Sequence, residues 1–325
     1  MTASQTSLNY DFGGNKMYPL KLSSVLKDII WGGTLLSKEY NKGTKGQKIA
    51  EAWVLSCRND GENIIENGEY TGKALSQIYP DKDSFPLLIK LIDACDKLSV
   101  QVHPDDSYAQ KEGLPAGKTE MWYILDAKKG AKLVYGMRKD IAPDNEQIKN
   151  AANDGTLENY LNYCEVKKGD VFFIPAGLVH AIGEGILIAE VQQNSNTTYR
   201  MYDYDRKDKD GNKRELHVDK AIEVIDKTLP HKDNTAELIE KTACSERTRL
   251  CECEYFKAHS LKIKNGSYDI CPDKMFFALC TDGGGQIIHN GTPYSFEKGD
   301  SYLFPEGTGA FEIKADGCEL LLASE

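Results

Sequence analysis

The residues best able to do chemistry lie in three short runs. Leu98-Ser99-Val100-Gln101-Val102-His103-Pro104 alternates polar and apolar side chains. In a strand, successive side chains face opposite ways, so Ser99, Gln101 and His103 share one face while Leu98, Val100 and Val102 share the other. By the same rule Gly117-Lys118-Thr119-Glu120-Met121 puts Lys118 and Glu120 on one face. The third run ends in His180, just past a Pro175-Ala176-Gly177 turn. If the polar rows face a barrel interior, Gln101, His103, Glu120 and His180 offer an amide oxygen, two imidazoles and a carboxylate to one divalent ion. That donor set suits zinc, would also accept manganese, cobalt or iron, and leaves a position open for water or substrate.

Charged residues further along could surround such an ion. Lys118 is one side-chain step from Glu120 and is a candidate either for moving a proton or for holding a fixed positive charge against a substrate. Glu190 has the parity of Ile186 and Ile188, an apolar face. A carboxylate there is either paired with a cation such as Arg200 or has a raised pKa and serves in proton transfer. Arg200 and Arg206 share a face if residues 198–206 form one strand, which would aim two anion-gripping guanidiniums at the pocket mouth. Their competing role is surface pairing with Asp203, Asp205, Asp208 and Asp210, an acidic run that reads as a solvated turn.

Strands joined by tight turns must carry these side chains. Lys168-Gly169-Asp170-Val171-Phe172-Phe173-Ile174-Pro175-Ala176-Gly177 and Lys298-Gly299-Asp300-Ser301-Tyr302-Leu303-Phe304-Pro305-Glu306-Gly307 repeat one grammar. A Gly-Asp turn launches an apolar strand, a proline ends it, and a glycine two residues later permits another turn. His180 in the first copy corresponds to Ala310 in the second, as in a duplicated β-unit with one metal site and one blank. Short apolar runs at Ala52 to Ser56, Leu87 to Leu91, Met121 to Leu125, Val171 to Ile174 and Ile186 to Val191 read as strands of a sandwich or barrel. Helices are expected at Ala74 to Tyr79, at Asn145 to Asn162 around Gly155, and at Val218 to Leu229. The expected organisation is a flexible lead over 1–16, a metal-binding domain over 17–235 closing in a linker at His231 to Ala236, and a second, metal-free domain over 236–325.

Composition narrows the function classes. A net charge of −10 over 325 residues disfavours nucleic acid, so an anionic small substrate would need a local cationic pocket. Nine scattered cysteines without a C-x-x-C pair argue against a disulfide framework or a zinc ribbon, and Cys251 with Cys253 is the only close pair. No secretory signal pattern and no apolar stretch of membrane-spanning length are found, so a soluble cytoplasmic protein is expected.

Four segments resemble the type I mannose-6-phosphate isomerases in their short bacterial form. They are Ser99-Val-Gln101-Val-His103-Pro-Asp-Asp106, Gly117-Lys-Thr-Glu120-Met-Trp-Tyr123, Pro175-Ala-Gly-Leu-Val-His180-Ala181, and Gln192 to Arg206 with its Thr-Thr-Tyr-Arg200 core. Trp31-Gly32-Gly33 and Glu51-Ala-Trp53-Val-Leu-Ser56 extend the likeness over nearly the whole chain. The resemblance implies an all-β protein with short helical insertions, built as two cupin-type jelly-roll barrels. It also implies one Zn2+ per chain on Gln101, His103, Glu120 and His180, and a reaction interconverting mannose 6-phosphate and fructose 6-phosphate through an enediol. The family's proposed catalytic arginine falls on Arg200, and Ser99, Lys118, Glu190 and Arg206 match further active-site positions. Catalytic roles are thus expected for Arg200, Lys118 and Glu190, and substrate contacts for Ser99, Lys118, Arg200 and Arg206. Ile182 stands where longer members carry a tyrosine, and Arg206 where they commonly carry lysine. The expected partner is a hexose 6-phosphate, with the chain a monomer or weak homodimer. The competing readings are a non-catalytic sugar-phosphate-binding or regulatory cupin and a metal-dependent oxygenase. The oxygenase would normally prefer two closely spaced histidines where Gln101 and His103 stand.

Overall fold

Strands dominate the chain, and short helices interrupt them, as expected from the sequence. The computed structural model describes residues 17–207, 210–229 and 236–325. The expected lead over 1–16 and all of the expected linker except Ala236 lie outside those residues.

The first jelly-roll unit sets a six-stranded sheet opposite a five-stranded one. The six strands run in the order Val171–Ile174, Glu120–Ala127, Ile186–Gln193, Leu87–Ala94, Glu51–Leu55 and Val25–Lys27. The five run Leu161–Glu165, Lys132–Met137, His180–Ala181, Val100–Val102 and Tyr199–Tyr202. Between the sheets lies a core that includes Ile92, Trp122, Ile124, Tyr135, Ile174 and Ile188. On the outer face of the five-stranded sheet, Val100, Val102, Val134 and Met201 pack against Ile148, Ala151 and Ala152 of helix Asn145–Asp154 and Val218 and Ala221 of helix Val218–Val224. Burying those valines outside turns Gln101 inward. Leu98 precedes the strand and packs with the inner core, so the expected alternation starts one residue later.

All eight residues of Leu87–Ala94 and of Ile186–Gln193 are buried. The outer face of their sheet, including Leu91, Met121, Tyr123 and Val191, packs on Phe277, Leu279, Leu321 and Ala323 of the second unit. A sheet covered on both faces has no wet side, which is why these strands are mainly apolar on both faces, with buried Lys90, Asp93, Glu190, Gln192 and Gln193 as the exceptions. The second unit belongs to a ten-stranded sheet in which the long strand Phe276–His289 pairs with four others. Phe304 and Phe311 stack with ring centres 4.0 Å apart in its apolar core, and among the described residues it holds no cluster of metal-ligating side chains. Strand Leu20–Leu22, expected in the first domain, pairs instead with Ser301–Phe304 and so belongs to the second unit's sheet.

The repeated turns match bond for bond. Gly169 N donates to Ile124 O at 2.8 Å and Ile124 N to Asp170 O at 2.9 Å; Gly299 N donates to Cys280 O at 2.8 Å and Cys280 N to Asp300 O at 2.9 Å. Asp170 Oδ2 accepts from Lys167 N at 2.9 Å, and Asp300 Oδ2 from Glu297 N at 3.0 Å. Gly169 and Gly299 hold φ of 93° and 95°. A β-carbon at Gly299 would stand 2.1 Å from Tyr40 O, whereas one at Gly169 meets nothing within 4 Å. Gly299→Ala should therefore destabilise the protein by more than about 2 kcal/mol, and Gly169→Ala by about 1 kcal/mol, read as the shift in chemical-denaturation midpoint. Equal losses would mean that the Tyr40 contact does not constrain the second turn.

The helices are shorter than the sequence periodicity predicts. Asn145–Asp154 is capped by the Asp144 side chain and stops at Gly155, with φ of 80°; a separate 3-10 turn covers Leu157–Tyr160. Ala74 to Tyr79 is reduced to a single 3-10 turn at Leu75–Gln77. Val218–Val224 ends early because Asp226 N donates to Gly177 O at 2.9 Å, a tertiary bond that takes the place of the next helical one. No helix among the described residues is long and apolar enough to cross a membrane.

Candidate active site

Two cross-strand rows build the site, one from each sheet. In the five-stranded sheet Gln101 is directly opposite His180 on one side and Arg200 on the other. In the six-stranded sheet Glu190 lies between Trp122 and Lys90, and Glu120 is opposite Gln192. Facing sheets thus bring residues far apart in sequence to one place.

The segment after Pro104 delivers Lys118 and Glu120. Asp105 caps helix Asp106–Lys111 by accepting from Tyr108 N, and Asp106 Oδ1 accepts from Gly117 N at 2.7 Å. Gly117 comes so close to this helix start that a β-carbon there would be 2.5 Å from Asp105 C. Lys118 N then donates to Pro104 O at 2.9 Å, which fixes it beside His103.

His103, Glu120 and His180 meet, with one ligand atom from each within 4.8 Å of the others. His180 Nε2 is 3.4 Å from Glu120 Oε1 and His103 Nε2 is 3.6 Å from Glu120 Oε2. Gln101 joins them, its amide nitrogen 3.4 Å from His180 Nε2; an amide can present either of its ends at that point. The Leu178 carbonyl, which can only accept, is 2.8 Å from His180 Nδ1, so the proton sits on Nδ1 and Nε2 presents a lone pair. Both His103 ring nitrogens and both Glu120 oxygens are buried without a hydrogen bond, although Lys118 Nζ is 3.1 Å from Glu120 Oε2. Buried polar atoms are almost always bonded, so ligand atoms of His103 and Glu120 left this short of partners in one cluster fit a bound cation.

Electrostatics agree with that fit. Burial holds His180 down at about 4 and, with Lys118 and His180 adding to it, holds His103 well below the usual imidazole range. Both rings are therefore neutral near pH 7, as ligands must be. Burial, then the charge of Glu190, pushes the Glu120 carboxyl up, with Lys118 and Lys90 opposing. A cation must then compete with a proton on Glu120. Metal affinity should fall as pH drops through neutrality, and binding should release a proton, measurable by calorimetry in buffers of different ionisation enthalpy. Uptake with no buffer dependence would show that Glu120 is already ionised in the metal-free protein.

Above this cluster opens a cleft of about 550 Å3, lined in part by Ser99, Gln101, Lys118, Glu190, Arg200 and Arg214. Ile182 is also on its wall. Arg200 donates from Nε to Ser99 Oγ at 3.3 Å and from Nη1 to Glu215 O at 2.7 Å. Of the two environments open to Glu190, the structure has the paired one, but the cation is Lys90, with Nζ 3.0 Å from Oε1, and Trp122 Nε1 donates to Oε2 at 2.9 Å. Burial alone would raise the Glu190 carboxyl, but Lys90 and then Lys118 outweigh it and hold it below its ordinary range. Lys90, buried within Leu-Leu-Ile-Lys-Leu-Ile, was missed in the sequence; a lysine set among five leucines and isoleucines is the signal that could have found it.

Arg206 departs from its expected position. The strand ends at Tyr202, and Tyr204 and Asp205, both with φ of 56°, turn the chain away, so 198–206 is not one strand. Arg206 instead donates to Asp203 and Lys97 O and lies near Asp96, and it is not among the cleft-lining residues. Arg214, overlooked in the sequence, occupies the cleft. Asp210-Gly211, a hairpin dipeptide, marks the reversal that brings it back, with Lys213 bridged to Lys207.

Comparison with known proteins agrees with this geometry. Residues 19–139 match the model of the phosphomannose isomerase type I catalytic domain, and residues 246–323 that of the mannose-6-phosphate isomerase cupin domain. The chain is 40% identical over 309 residues to mannose-6-phosphate isomerase ManA of Bacillus subtilis, covering 91% of this chain and 96% of that protein. It is 36% identical to the mannose-6-phosphate isomerase of Streptococcus mutans, covering 92% and 96%. The crystal structure of the mannose 6-phosphate isomerase from Bacillus subtilis superposes with a TM-score of 0.85 at 33% identity, over 94% of this chain and 99% of that one. With this identity sustained along almost the full length, the chain belongs to the type I mannose-6-phosphate isomerase family.

Proposed function

We propose that this enzyme interconverts mannose 6-phosphate and fructose 6-phosphate with a zinc ion held by Gln101, His103, Glu120 and His180. The observation that carries this reading is the set of buried, unbonded donors on His103 and Glu120 beneath a cleft rich in cationic side chains. A divalent ion on those donors supplies a fixed positive charge for the oxygens that become electron-rich as the sugar loses its proton.

The chain's own residues carry the rest. In the aldose-to-ketose direction a base removes the C2 proton and the carbonyl oxygen on C1 gains one, giving the enediol. The O2 proton then leaves as C1 is protonated. Lys118, in the cleft and 3.1 Å from Glu120, is the group assigned to this proton traffic. Arg200 lines the same cleft and contributes a permanent charge to steady the electron-rich oxygens. Glu190, held ionised by Lys90, can accept a proton but has none to give at neutral pH, so its part is to fix Lys90 and Trp122 in the floor of the cleft.

A coupled assay that detects fructose 6-phosphate formed from mannose 6-phosphate, run with and without chelator, tests the proposal. Turnover that chelation stops and zinc restores is the expected result. Metal bound without turnover of any hexose phosphate would instead identify a binding protein.

A further inference from the structure

Three guanidiniums crowd one end of the cleft around a single buried carboxylate. Asp203, 5% exposed, accepts from Arg206 Nη2 at 2.5 Å and from Arg214 Nε at 2.7 Å, with a second bond from Arg214 Nη2. Arg200 stands alongside: burial lowers its pKa first and the charge of Arg214 next. Like charges gathered in a half-buried place destabilise one another unless an anion joins them. Asp203 supplies the one buried negative charge bonded to these guanidiniums, and Glu215 and Asp96, which also lie near them, have largely exposed side chains, 83% and 56% accessible. This end of the cleft is short of an anion.

Only two of the three arginines can meet one there. Arg206 is engaged on every nitrogen: Nε with Asp203 O, Nη1 with Lys97 O and Asp96, and Nη2 with the Asp203 carboxylate. Asp203 occupies two of the five N–H donors of Arg214, which leaves enough for a bidentate grip on a tetrahedral oxyanion. Arg200 and Arg214 line the cleft and Arg206 does not.

We propose that Arg214 is the principal grip on the phosphate of the sugar phosphate, beside Arg200, whose charge serves the reacting oxygens, and that Arg206 is a positioning residue that acts through Asp203 to aim Arg214. This rests on the sugar-phosphate reading above. It moves substrate contact from Arg206, where the resemblance puts it, to a residue eight positions later on the returning arm of the hairpin. Asp203 serves as the hinge pin between the two guanidiniums.

The test compares wild-type protein with Arg214→Ala, Arg214→Lys and Arg206→Ala, each carrying its metal. Inorganic phosphate is the probe in calorimetry and in competition against mannose 6-phosphate turnover. Arg214→Ala should weaken phosphate binding and raise KM about tenfold or more while kcat changes less, and lysine should recover part of the loss. Arg206→Ala should raise KM only about threefold, since Arg214 remains but is less firmly aimed. Should Arg214→Ala melt far below wild type, the Arg214→Lys and Arg214→Gln variants carry the comparison. Unchanged phosphate affinity in the Arg214 variants, or a larger loss in Arg206→Ala, overturns the assignment and leaves the isomerase reading intact. A wild-type protein that binds phosphate through Arg214 but turns over no hexose phosphate would leave the grip standing and remove the isomerase reading.

Discussion

Glu120→Gln should lose bound metal and turnover together, with activity down by more than about a thousandfold. Glu120 is fully buried and lies between the two imidazoles and Lys118, so no neighbouring carboxylate can substitute for it. The physical argument also separates loss of function from loss of fold. In the metal-free protein burial pushes the Glu120 pKa up, so a neutral amide of the same shape relieves one buried charge, but it also leaves the buried Lys118 ammonium, 3.1 Å away, without its partner. Without metal, Glu120→Gln should therefore still fold but melt below wild type, because the Lys118 charge is left unpaired. With metal they should diverge further, because a ligand that binds only the folded state at a thousand times its Kd stabilises it by about 4 kcal/mol. Thermal melts of both proteins with and without zinc give the readout. A Glu120→Gln protein whose Tm rises with zinc as much as that of wild type would take Glu120 out of the metal site.

Arg200→Ala should cut turnover by about a hundred- to a thousandfold and leave metal content unchanged. Arg200 is beside the donor set, opposite Gln101 across the ladder, yet it can only donate hydrogen bonds and so contributes nothing to holding a cation. Its removal gives up a bond to Ser99 Oγ, beside strand Val100–Val102, and one to Glu215 O, which ties the strand Tyr199–Tyr202 to the returning segment. The His217 N to Arg200 O bond, at 2.7 Å, is between main chains and survives the substitution. The wall of the cleft should stay in place while its charge is lost. Full activity in this variant would remove Arg200 from the mechanism, and loss of metal alongside activity would make its role structural.

Local rules carried the sequence reading wherever one strand or one turn decided the outcome. Gln101 and His103 could be placed facing inward because Val100 and Val102 needed an apolar outer face, and helices Asn145–Asp154 and Val218–Val224 provide it. The Gly-Asp and Pro-x-Gly units could be matched because the same left-handed glycine positions recur, at φ of 86° for Gly177 and 83° for Gly307. What escaped depended on chain returning from a distance. Leu20 pairs with Leu303, and no local pattern in Leu20–Leu22 names that partner. Ile186–Gln193 is buried on both faces because a second unit covers the outer one, and nothing local in the strand names that cover. Arg206 was misplaced because parity holds only while a strand continues, and Tyr204 and Asp205 end it. Lys90 and Arg214 left signals of their own, a lysine amid leucines and isoleucines and an Asp-Gly reversal, and neither belonged to a motif.

The proposed function depends on a cation held among Gln101, His103, Glu120 and His180. The direct measurement is a zinc titration of chelator-stripped protein, following bound metal by elemental analysis and fructose 6-phosphate formation in the same samples. Activity should be absent at the start, rise in proportion to zinc and level off at one ion per chain. Full turnover in protein stripped of all metal would contradict the proposed site.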